Sequence, residues 1–151
     1  MQKTENLVDL ILNDYAAFEK IHKEDNNLEV SEADFSHSSF EDADFTNVDF
    51  TGSSFQEANL VNVNFTDCDL TSVDFSRANV SECNFSGSIL NGTSFNYATV
   101  NFSNFSDADM AGCNFSEADL SDSDFSTSEN LESCRFDEST VWPDSDKLPE
   151  D

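Results

Sequence analysis

Every fifth residue of this sequence, from Phe35 to Phe125, is a phenylalanine or another large apolar residue. The stretch ADFSHSSFEDADFTNVDF, residues 33–50, shows the pattern most clearly, with small, polar or acidic residues between the rings. An α-helix brings residues three, four and seven apart to one face, and a flat strand alternates with a period of two. A period of five fits neither element, so we expect a repeat architecture.

Two positions before each large residue stands a small one, as Ala33 precedes Phe35, so the unit reads small, polar, large, polar, polar. Segments such as ADFTN, ANLVN, CNFSG and ADLSD resemble the motif of the pentapeptide-repeat family, which is loosely Ala-Asp/Asn-Leu/Phe followed by two variable residues. The resemblance covers residues 33–127 continuously and resumes over about 131–141. It implies an all-β solenoid, a right-handed quadrilateral parallel β-helix with four pentapeptides per coil and about five to six coils.

A coil of twenty residues predicts that residues twenty positions apart stack and share their character. The large residues do form four such columns, two aromatic and two mainly aliphatic. At the roughly 4.8 Å spacing of hydrogen-bonded strands, stacked rings attract one another, and we expect the columns to form the core. After a one-residue slip at Asn130, we expect Leu131, Phe136 and Val141 to extend three of the columns. The aromatic columns are Phe35, Phe55, Phe75, Phe95, Phe115 and Phe45, Phe65, Phe85, Phe105, Phe125; the others are Phe40, Leu60, Val80, Val100, Leu120 and Phe50, Leu70, Leu90, Met110.

Smaller residues between the columns indicate the shape of the corners and of the remaining interior. Gly52, Gly92 and Gly112 fall at the same corner of three coils, which predicts a turn with a positive φ angle.

The four cysteines fall on the small inward position, and no CxxC pair or histidine cluster accompanies them. We interpret them as buried thiols that fill space, rather than as metal ligands or a disulfide. They are Cys68, Cys83, Cys113 and Cys134.

The chain divides into an N-terminal cap at 1–29, a β-helix at 30–141 and a C-terminal cap or tail at 142–151. The opening residues lack the basic start and long apolar run of a signal peptide. No stretch approaches the roughly 18 apolar residues of a membrane span. We therefore expect a cytoplasmic protein that makes no membrane contact.

Both ends of the β-helix are expected to be covered. Residues 4–24 predict one amphipathic α-helix that caps the first coil, whose open strand edge would otherwise invite aggregation. A docking helix for a partner is the alternative. At the other end, Trp142 either covers the last coil or forms a homodimer through this end, and Pro143 stops the repeat. The residues with helical spacing are Leu7, Ile11, Tyr15 and Phe18.

Negative charge dominates the outside of the predicted rod. Residues 30–141 hold 21 acidic side chains and two arginines, over a length of about 27 Å, which is about one net charge per 1.4 Å. Duplex DNA carries about one charge per 1.7 Å. The family resemblance points the same way, because its best-understood members mimic DNA and bind DNA gyrase and related topoisomerases, protecting cells from quinolones or gyrase-directed toxins. We therefore expect a protein that mimics duplex DNA for such an enzyme, through Asp49, Asp69, Asp109, Asp119, Asp122 and Asp124.

Catalysis has no support in the sequence. His22 and His37 stand alone, and no set of nucleophile, base and acid can be assembled around them. Carboxylates on a convex surface also lack the cleft that perturbs a catalytic pKa. Arg77 and Arg135 are the only basic residues of the rod, so phosphates would be repelled. We expect no enzyme, no metal, no cofactor and no direct contact with nucleic acid.

The alternative function is a protein-binding scaffold with an unidentified partner and no DNA mimicry. Its candidate site is a set of outward apolar residues at Val61, Ile89, Tyr97 and Phe102. Acids on all sides could also serve solubility alone. The chain has no projecting loop between residues 33 and 127, whereas such loops matter for activity in some relatives. Their absence weakens the prediction of protection against drugs more than the prediction of binding in a DNA groove.

Overall fold

The computed structural model describes residues 4–150, and most of this length coils into a parallel β-helix. One strand per coil forms a four-stranded parallel sheet on one side of the helix, in the order β1-β2-β3-β4. The register pairs residues twenty apart, as Phe40 with Leu60. The predicted right-handed quadrilateral β-helix is thereby confirmed. The strands are β1, Ser39–Glu41; β2, Asn59–Val61; β3, Asn79–Ser81; and β4, Thr99–Asn101.

The other three sides of each coil are joined by single parallel bridges, such as that between Asp49 and Asp69. At the corners the chain turns through a residue with positive φ. The predicted corner is confirmed, because Gly52, Gly92 and Gly112 have φ angles of 71°, 70° and 69°. The same conformation recurs at most other corners, where non-glycine residues adopt it. We did not expect this, since L-residues other than Asn and Asp rarely enter this region.

The core consists of the predicted columns of large side chains. Most rings one coil apart are nearly parallel, with centroids 5.0 Å apart for Phe75 and Phe95 and 4.8 Å apart for Phe85 and Phe105. Phe45 and Phe65 are tilted by 37°. The two aromatic columns face each other across the interior and meet edge to face, as Phe75 does with Phe85 at 5.8 Å and 87°. Both arrangements are the favourable ones for aromatic pairs. The interior is therefore filled by side chains and leaves no lumen for a ligand.

Small inward residues also tie successive coils together. The hydroxyl of Ser53 donates to the carbonyl of Val30 at 2.9 Å, and that of Thr93 donates to Leu70 at 2.7 Å. The thiol of Cys68 makes the equivalent bond to Phe45 at 2.9 Å. All four cysteines are buried and free, as predicted. Besides filling space, a thiol in this position therefore acts as a weak hydrogen-bond donor.

The prediction of one helix over residues 4–24 is wrong, because the structure has two: α1, Thr4–Asn13, and α2, Tyr15–Glu24. Asp14 breaks the helix with φ −150° and ψ 67°, and its side chain accepts a hydrogen bond from the backbone of Ala17. Aspartate is a strong N-cap and competes with helical hydrogen bonding from inside a helix. The apolar periodicity continues across the break, which is why it predicts a single element.

Helix α2 covers the first coil. Its side chains form the hydrogen bonds that a preceding coil would otherwise provide. The backbone N–H of Asp44 donates to the Tyr15 hydroxyl at 2.7 Å, and the ring of His22 donates to the carbonyl of Thr46 at 2.6 Å. In later coils the backbone of the preceding coil makes such bonds. Phe18 is fully buried, with its ring centroid 5.8 Å from that of Phe45. The helix therefore both satisfies the open edge and extends the core.

The last coil departs from the five-residue spacing. Phe136 keeps its predicted register after Phe115, because Arg135 pairs with Asn114, but its ring is largely exposed. The predicted place of Val141 is wrong, because Val141 itself pairs with Asp119. Phe136 is 61% exposed and Val141 is 48% exposed. One extra residue enters at a 3₁₀ turn over Leu131–Ser133, and a second enters before Thr140. Trp142 consequently takes the inward position, where it packs edge to face on the last phenylalanines of the two aromatic columns. Trp142 therefore covers the last coil, which is one of its two predicted roles.

Candidate protein-binding surfaces

The six predicted aspartates form two groups on opposite sides of the rod. Asp49, Asp69 and Asp109 belong to one row, which we call the acidic face. Its successive bridged residues are Glu29, Asp49, Asp69, Ile89, Asp109 and Glu129. The remaining three, Asp119, Asp122 and Asp124, lie together around one corner of the fifth coil. Asp119 continues the side that carries β1–β4, which we call the sheet face and which lies opposite the acidic face.

Aspartates at the bridged positions are part of the turns that follow them. One oxygen of Asp49 accepts hydrogen bonds from the backbone of Thr51 at 2.9 Å and from its hydroxyl at 2.6 Å. Asp69 accepts the same pair from Thr71. These are Asx turns, in which a short carboxylate satisfies the backbone of the corner. Within residues 4–150, the second oxygen of Asp49 and of Asp69 has no hydrogen-bond partner, so one oxygen of each residue remains available for further contacts.

Hydrogen bonding lowers the pKa of two surface carboxylates, Asp34 and Asp124. The hydroxyl and backbone N–H of Ser36 hold the pKa of Asp34 below its usual value. Ser126 does the same for the pKa of Asp124. Bonds to the charged form of a carboxyl group lower its pKa, and both carboxylates remain negative at neutral pH. Asp34 and Asp124 therefore contribute negative charge to the surface at neutral pH.

The most outward acids were missed by the sequence analysis. They lie at the corners, where every fifth residue has a positive φ angle, and their side chains are exposed. The glycines could have identified them, because stepping five residues at a time in either direction from Gly52 gives the remaining corners. The corner acids are Glu32, Asp42, Glu57, Asp67, Glu82, Asp107, Glu117 and Asp122, and only Asp122 was among the predicted residues.

The predicted apolar residues do not form one patch. Ile89 lies on the acidic face, and Val61 is half-buried at the end of β2. Tyr97 and Phe102 flank β4 on the sheet face and are 48% and 63% exposed. Both are corner residues, with φ angles of 59° and 55°. A bulky residue in this region is an outlier that costs roughly 1–3 kcal/mol, so this aromatic pair is presented to solvent at the expense of stability.

Two further features distinguish the surroundings of the aromatic pair. The guanidinium of Arg77, one coil away, lies 4.5 Å from the centroid of the Tyr97 ring. Among the described residues, the side-chain oxygens of Asn96 and Asn101 are the buried polar atoms without a hydrogen-bond partner, and these residues directly precede Tyr97 and Phe102. Unsatisfied buried groups are uncommon in native structures. The coil that contains β4 therefore combines backbone strain, exposed rings and unpaired amides.

The cysteines are buried and differ in how their surroundings affect their pKa values. Burial raises the pKa of Cys68 and raises that of Cys83 to about 12, so both thiols stay protonated at neutral pH. A hydrogen bond between the stacked thiols raises the pKa of Cys113 and lowers that of Cys134. Across residues 4–150, no three His, Cys, Asp or Glu side chains are arranged to hold a metal ion. No helix in the same range is long and apolar enough to span a bilayer.

Comparisons with known structures support the fold. A pentapeptide repeat protein, Rfr23, from the cyanobacterium Cyanothece 51142 superposes with a TM-score of 0.74 at 18% identity, over 84% of this chain and 99% of that chain. A second, from the thylakoid lumen of Arabidopsis thaliana, gives a TM-score of 0.51 at 23% identity, over 61% and 68%. QnrB1, a plasmid-mediated fluoroquinolone resistance protein, gives only 0.27 at 16% identity, over 74% and 92%, and supports no functional comparison.

Comparison at the level of sequence identifies the family. A search of curated protein sequences gives no significant match. A family model described as a pentapeptide repeat region matches residues 24–95 and 58–141, which together span most of the chain. The matched range coincides with the coils and with the five-residue period of the core. This chain therefore belongs to the pentapeptide-repeat family.

Proposed function

We propose that this protein is a non-catalytic rod that occupies the DNA-binding groove of a DNA-processing enzyme, such as gyrase or a related topoisomerase, in place of duplex DNA. The observation that carries the proposal is the fixed axial order of its carboxylates. Parallel pairing sets successive carboxylates of the acidic face one coil apart, as Asp49 and Asp69 are. A basic groove would meet these charges in an ordered array.

The charge density of the rod supports this proposal. Coils about 4.8 Å apart give the rod about one net charge per 1.4 Å, against about one per 1.7 Å for duplex DNA. Adjacent carboxylates repel by only roughly 0.9 kcal/mol in water, which a packed core tolerates. The corner acids are exposed and would meet the basic side chains of a groove. The same charge would repel nucleic acid itself, so the partner we propose is the enzyme and not its DNA.

Inhibition of gyrase supercoiling at two salt concentrations, with duplex DNA as competitor, tests the proposal. Inhibition that both salt and DNA relieve is the expected result, since charge contacts are screened and the two ligands would share a groove. Neutralising four corner acids, as Asp67→Asn, Glu82→Gln, Asp107→Asn and Asp122→Asn, should weaken inhibition. No inhibition at micromolar protein would exclude gyrase as the partner.

A matched control separates position from net charge. Asp9→Asn, Glu19→Gln, Glu24→Gln and Asp25→Asn remove the same number of charges from the N-terminal helices and the segment after them. This variant should inhibit as strongly as the unaltered protein. Equal weakening by both variants would mean that net charge alone is responsible, and mimicry of a duplex would then be the wrong description.

The aromatic pair favours a second function, a protein-binding scaffold without DNA mimicry. Exposed Tyr97 and Phe102 are residue types that dominate the energy of protein interfaces. Replacing both by Asn, which occupies the same corner position at Asn47 and Asn62, removes the rings but retains a residue suited to positive φ. A partner that is lost with this variant and retained at high salt would support the scaffold. A partner retained by the variant and released by salt would support the acidic rod.

A further inference from the structure

A hollow lies at the C-terminal end of the rod, where the repeat becomes irregular. Its volume is about 540 Å³, and its walls are Leu131, Glu132, Trp142, Leu148, Pro149 and Glu150. Volumes of roughly 300–1,000 Å³ are typical of sites for small molecules. The coils are filled by side chains, so the open hollow at this end is the candidate site for a small ligand.

The irregular spacing of the last coil creates the hollow. The large residues of this coil are Leu131, Phe136, Trp142 and Leu148, separated by five, six and six residues rather than by five throughout. Backbone pairing still continues to Lys147, whose carbonyl accepts a hydrogen bond from Phe125 at 2.7 Å. The longer connections add residues to this coil while it remains paired with the coil beneath. Apolar side chains that would otherwise stack inward consequently line an open space.

The lining combines apolar groups with unpaired negative charge. Leu131, Trp142, Leu148 and Pro149 are each partly buried and supply apolar and aromatic surface. Glu132 is exposed, and among residues 4–150 neither its carboxylate nor that of Glu150 forms an ion pair or a side-chain hydrogen bond. A site of this composition accommodates an apolar group beside a positive charge.

Nearby basic groups do not compensate these carboxylates. The ammonium of Lys147 points to the side of the rod, where it lies 3.5 Å from the carbonyl oxygen of Asp122. Arg135 is exposed at a bridged position opposite Asn114, and it does not line the hollow. Two carboxylates also fall short of the three ligands that a metal centre requires. An anion would be repelled, and a neutral ligand would form no ion pair with the two carboxylates.

We infer that this hollow binds a small amphiphilic cation, an organic ammonium or guanidinium that carries an apolar group. The apolar part contacts Leu131, Leu148 and the indole of Trp142, and the cation lies between the carboxylates of Glu132 and Glu150. Attraction of a cation to an indole face would add to both contacts. This site is independent of the surfaces proposed to bind a protein partner, because it lies at the end of the rod and not along its sides.

Trp142 is the single tryptophan of the chain, so its fluorescence reports on the hollow directly. The experiment titrates the full chain with n-hexylammonium, 1-hexanol and hexanoate, three probes with the same apolar tail. A saturable change of emission with n-hexylammonium is expected, at an affinity about tenfold higher than for 1-hexanol, with no response to hexanoate. Absence of a saturable change, or equal affinity for the ammonium and the alcohol, overturns the inference.

Variants locate the cation. Glu132→Gln with Glu150→Gln should lower the affinity for n-hexylammonium about tenfold and leave that for 1-hexanol unchanged. Glu150→Lys, which supplies its own ammonium, should abolish the response. Glu41→Gln with Glu82→Gln changes the net charge equally, far from the hollow, and should have no effect. Equal loss in this control, or sedimentation showing that a second copy fills the hollow, would contradict the inference.

Discussion

The two ends of the β-helix are closed by different means. At the N-terminal end, α2 places the Tyr15 hydroxyl and the His22 ring against the open backbone of Asp44 and Thr46, and Phe18 completes the core. At the C-terminal end the chain adds one more coil of irregular spacing and leaves Phe136 exposed. At the first end, side chains of a helix take the place of backbone hydrogen-bond partners. At the second end, the five-residue spacing of the repeat is lost over the last coil.

This difference shows what is required to terminate a β-helix. An open coil exposes both unpaired backbone groups and the large side chains of its core, and each needs a partner. Helix α2 supplies both kinds of partner from one element. The last coil covers the core with Trp142 but opens a hollow beside it. The N-terminal end should therefore be coupled to the core, while the C-terminal end should open locally.

The largest expected effect is the contrast between two phenylalanines, one at each end. Phe18→Ala should lower the free energy of unfolding by about 3–5 kcal/mol, since the side chain is fully buried on the first coil. Phe136→Ala should change it by less than about 0.5 kcal/mol, since the ring is 61% exposed. Urea denaturation of both variants measures the difference. Similar losses would show that Phe136 is buried in solution and that the ends are not closed differently.

Hydrogen exchange sharpens the same contrast along the backbone. The amides of Arg135 and Val141, which bond to Cys113 and Ala118 in the coil beneath, should exchange through local opening. The free energy of that opening should be smaller by on the order of 2 kcal/mol than for Asn79 in the middle of the sheet. Exchange of all three amides at the same free energy would mean that the last coil unfolds together with the rest.

The hydroxyl of Tyr15 provides a more local test of the N-terminal end. Tyr15→Phe leaves the backbone N–H of Asp44 without its 2.7 Å acceptor, which should cost about 1–2 kcal/mol. Tyr97→Phe is the matched control, because that side chain is exposed and should lose little stability. Thermal unfolding compares the two. A neutral result for Tyr15→Phe would indicate that water replaces the hydroxyl and that helical packing alone closes this end.

The five-residue period was sufficient to predict the regular coils. A single large residue in each unit, repeated from Phe35 to Phe125, constrains both the register and the core, because residues twenty apart must stack. The ends could not be predicted this way. The break at Asp14 depends on a capping bond that competes with the helical pattern, and the second insertion before Thr140 has no counterpart in the apolar series. Capping bonds and single-residue insertions of this kind leave the spacing of apolar residues unchanged or interrupt it without warning, so this spacing does not predict them.

The candidate surfaces were predicted only in part, for a similar reason. Aspartates such as Asp49 stand out in the sequence because they repeat, yet they repeat because the turns need them as hydrogen-bond acceptors. The corner acids, such as Glu82, are less regular and more exposed. Regularity in a repeat indicates structural need, so departures from it are the better guide to function. Tyr97 and Phe102 are departures of this kind, at positions where glycine or asparagine would be unstrained.

The smallest expected effect concerns the pH dependence of the N-terminal end. Burial raises the pKa of Asp44, but hydrogen bonds from the hydroxyl and backbone of Thr46 outweigh it, and the net pKa is lowered. A carboxyl group whose pKa is lower in the folded state stabilises the fold above its unfolded pKa, about 3.9, and loses that contribution as the pH falls through the folded value. Thr46→Ala removes the 2.5 Å hydroxyl bond, so the pKa of Asp44 should rise.

The consequence is that acid destabilisation should begin at a higher pH in Thr46→Ala, while stability at neutral pH falls by only about 0.5 kcal/mol. Thr66→Ala is the control one coil along, where the hydroxyl donates to Asn64, which does not titrate. It should lose similar stability at neutral pH without a change in acid response. Urea midpoints between about pH 2 and pH 7 distinguish the two variants across the ordinary range of an aspartate. Identical acid profiles would mean that Thr46 contributes as a neutral turn residue, and the bonds from Tyr15 and His22 would then be the polar contacts that distinguish this end of the rod.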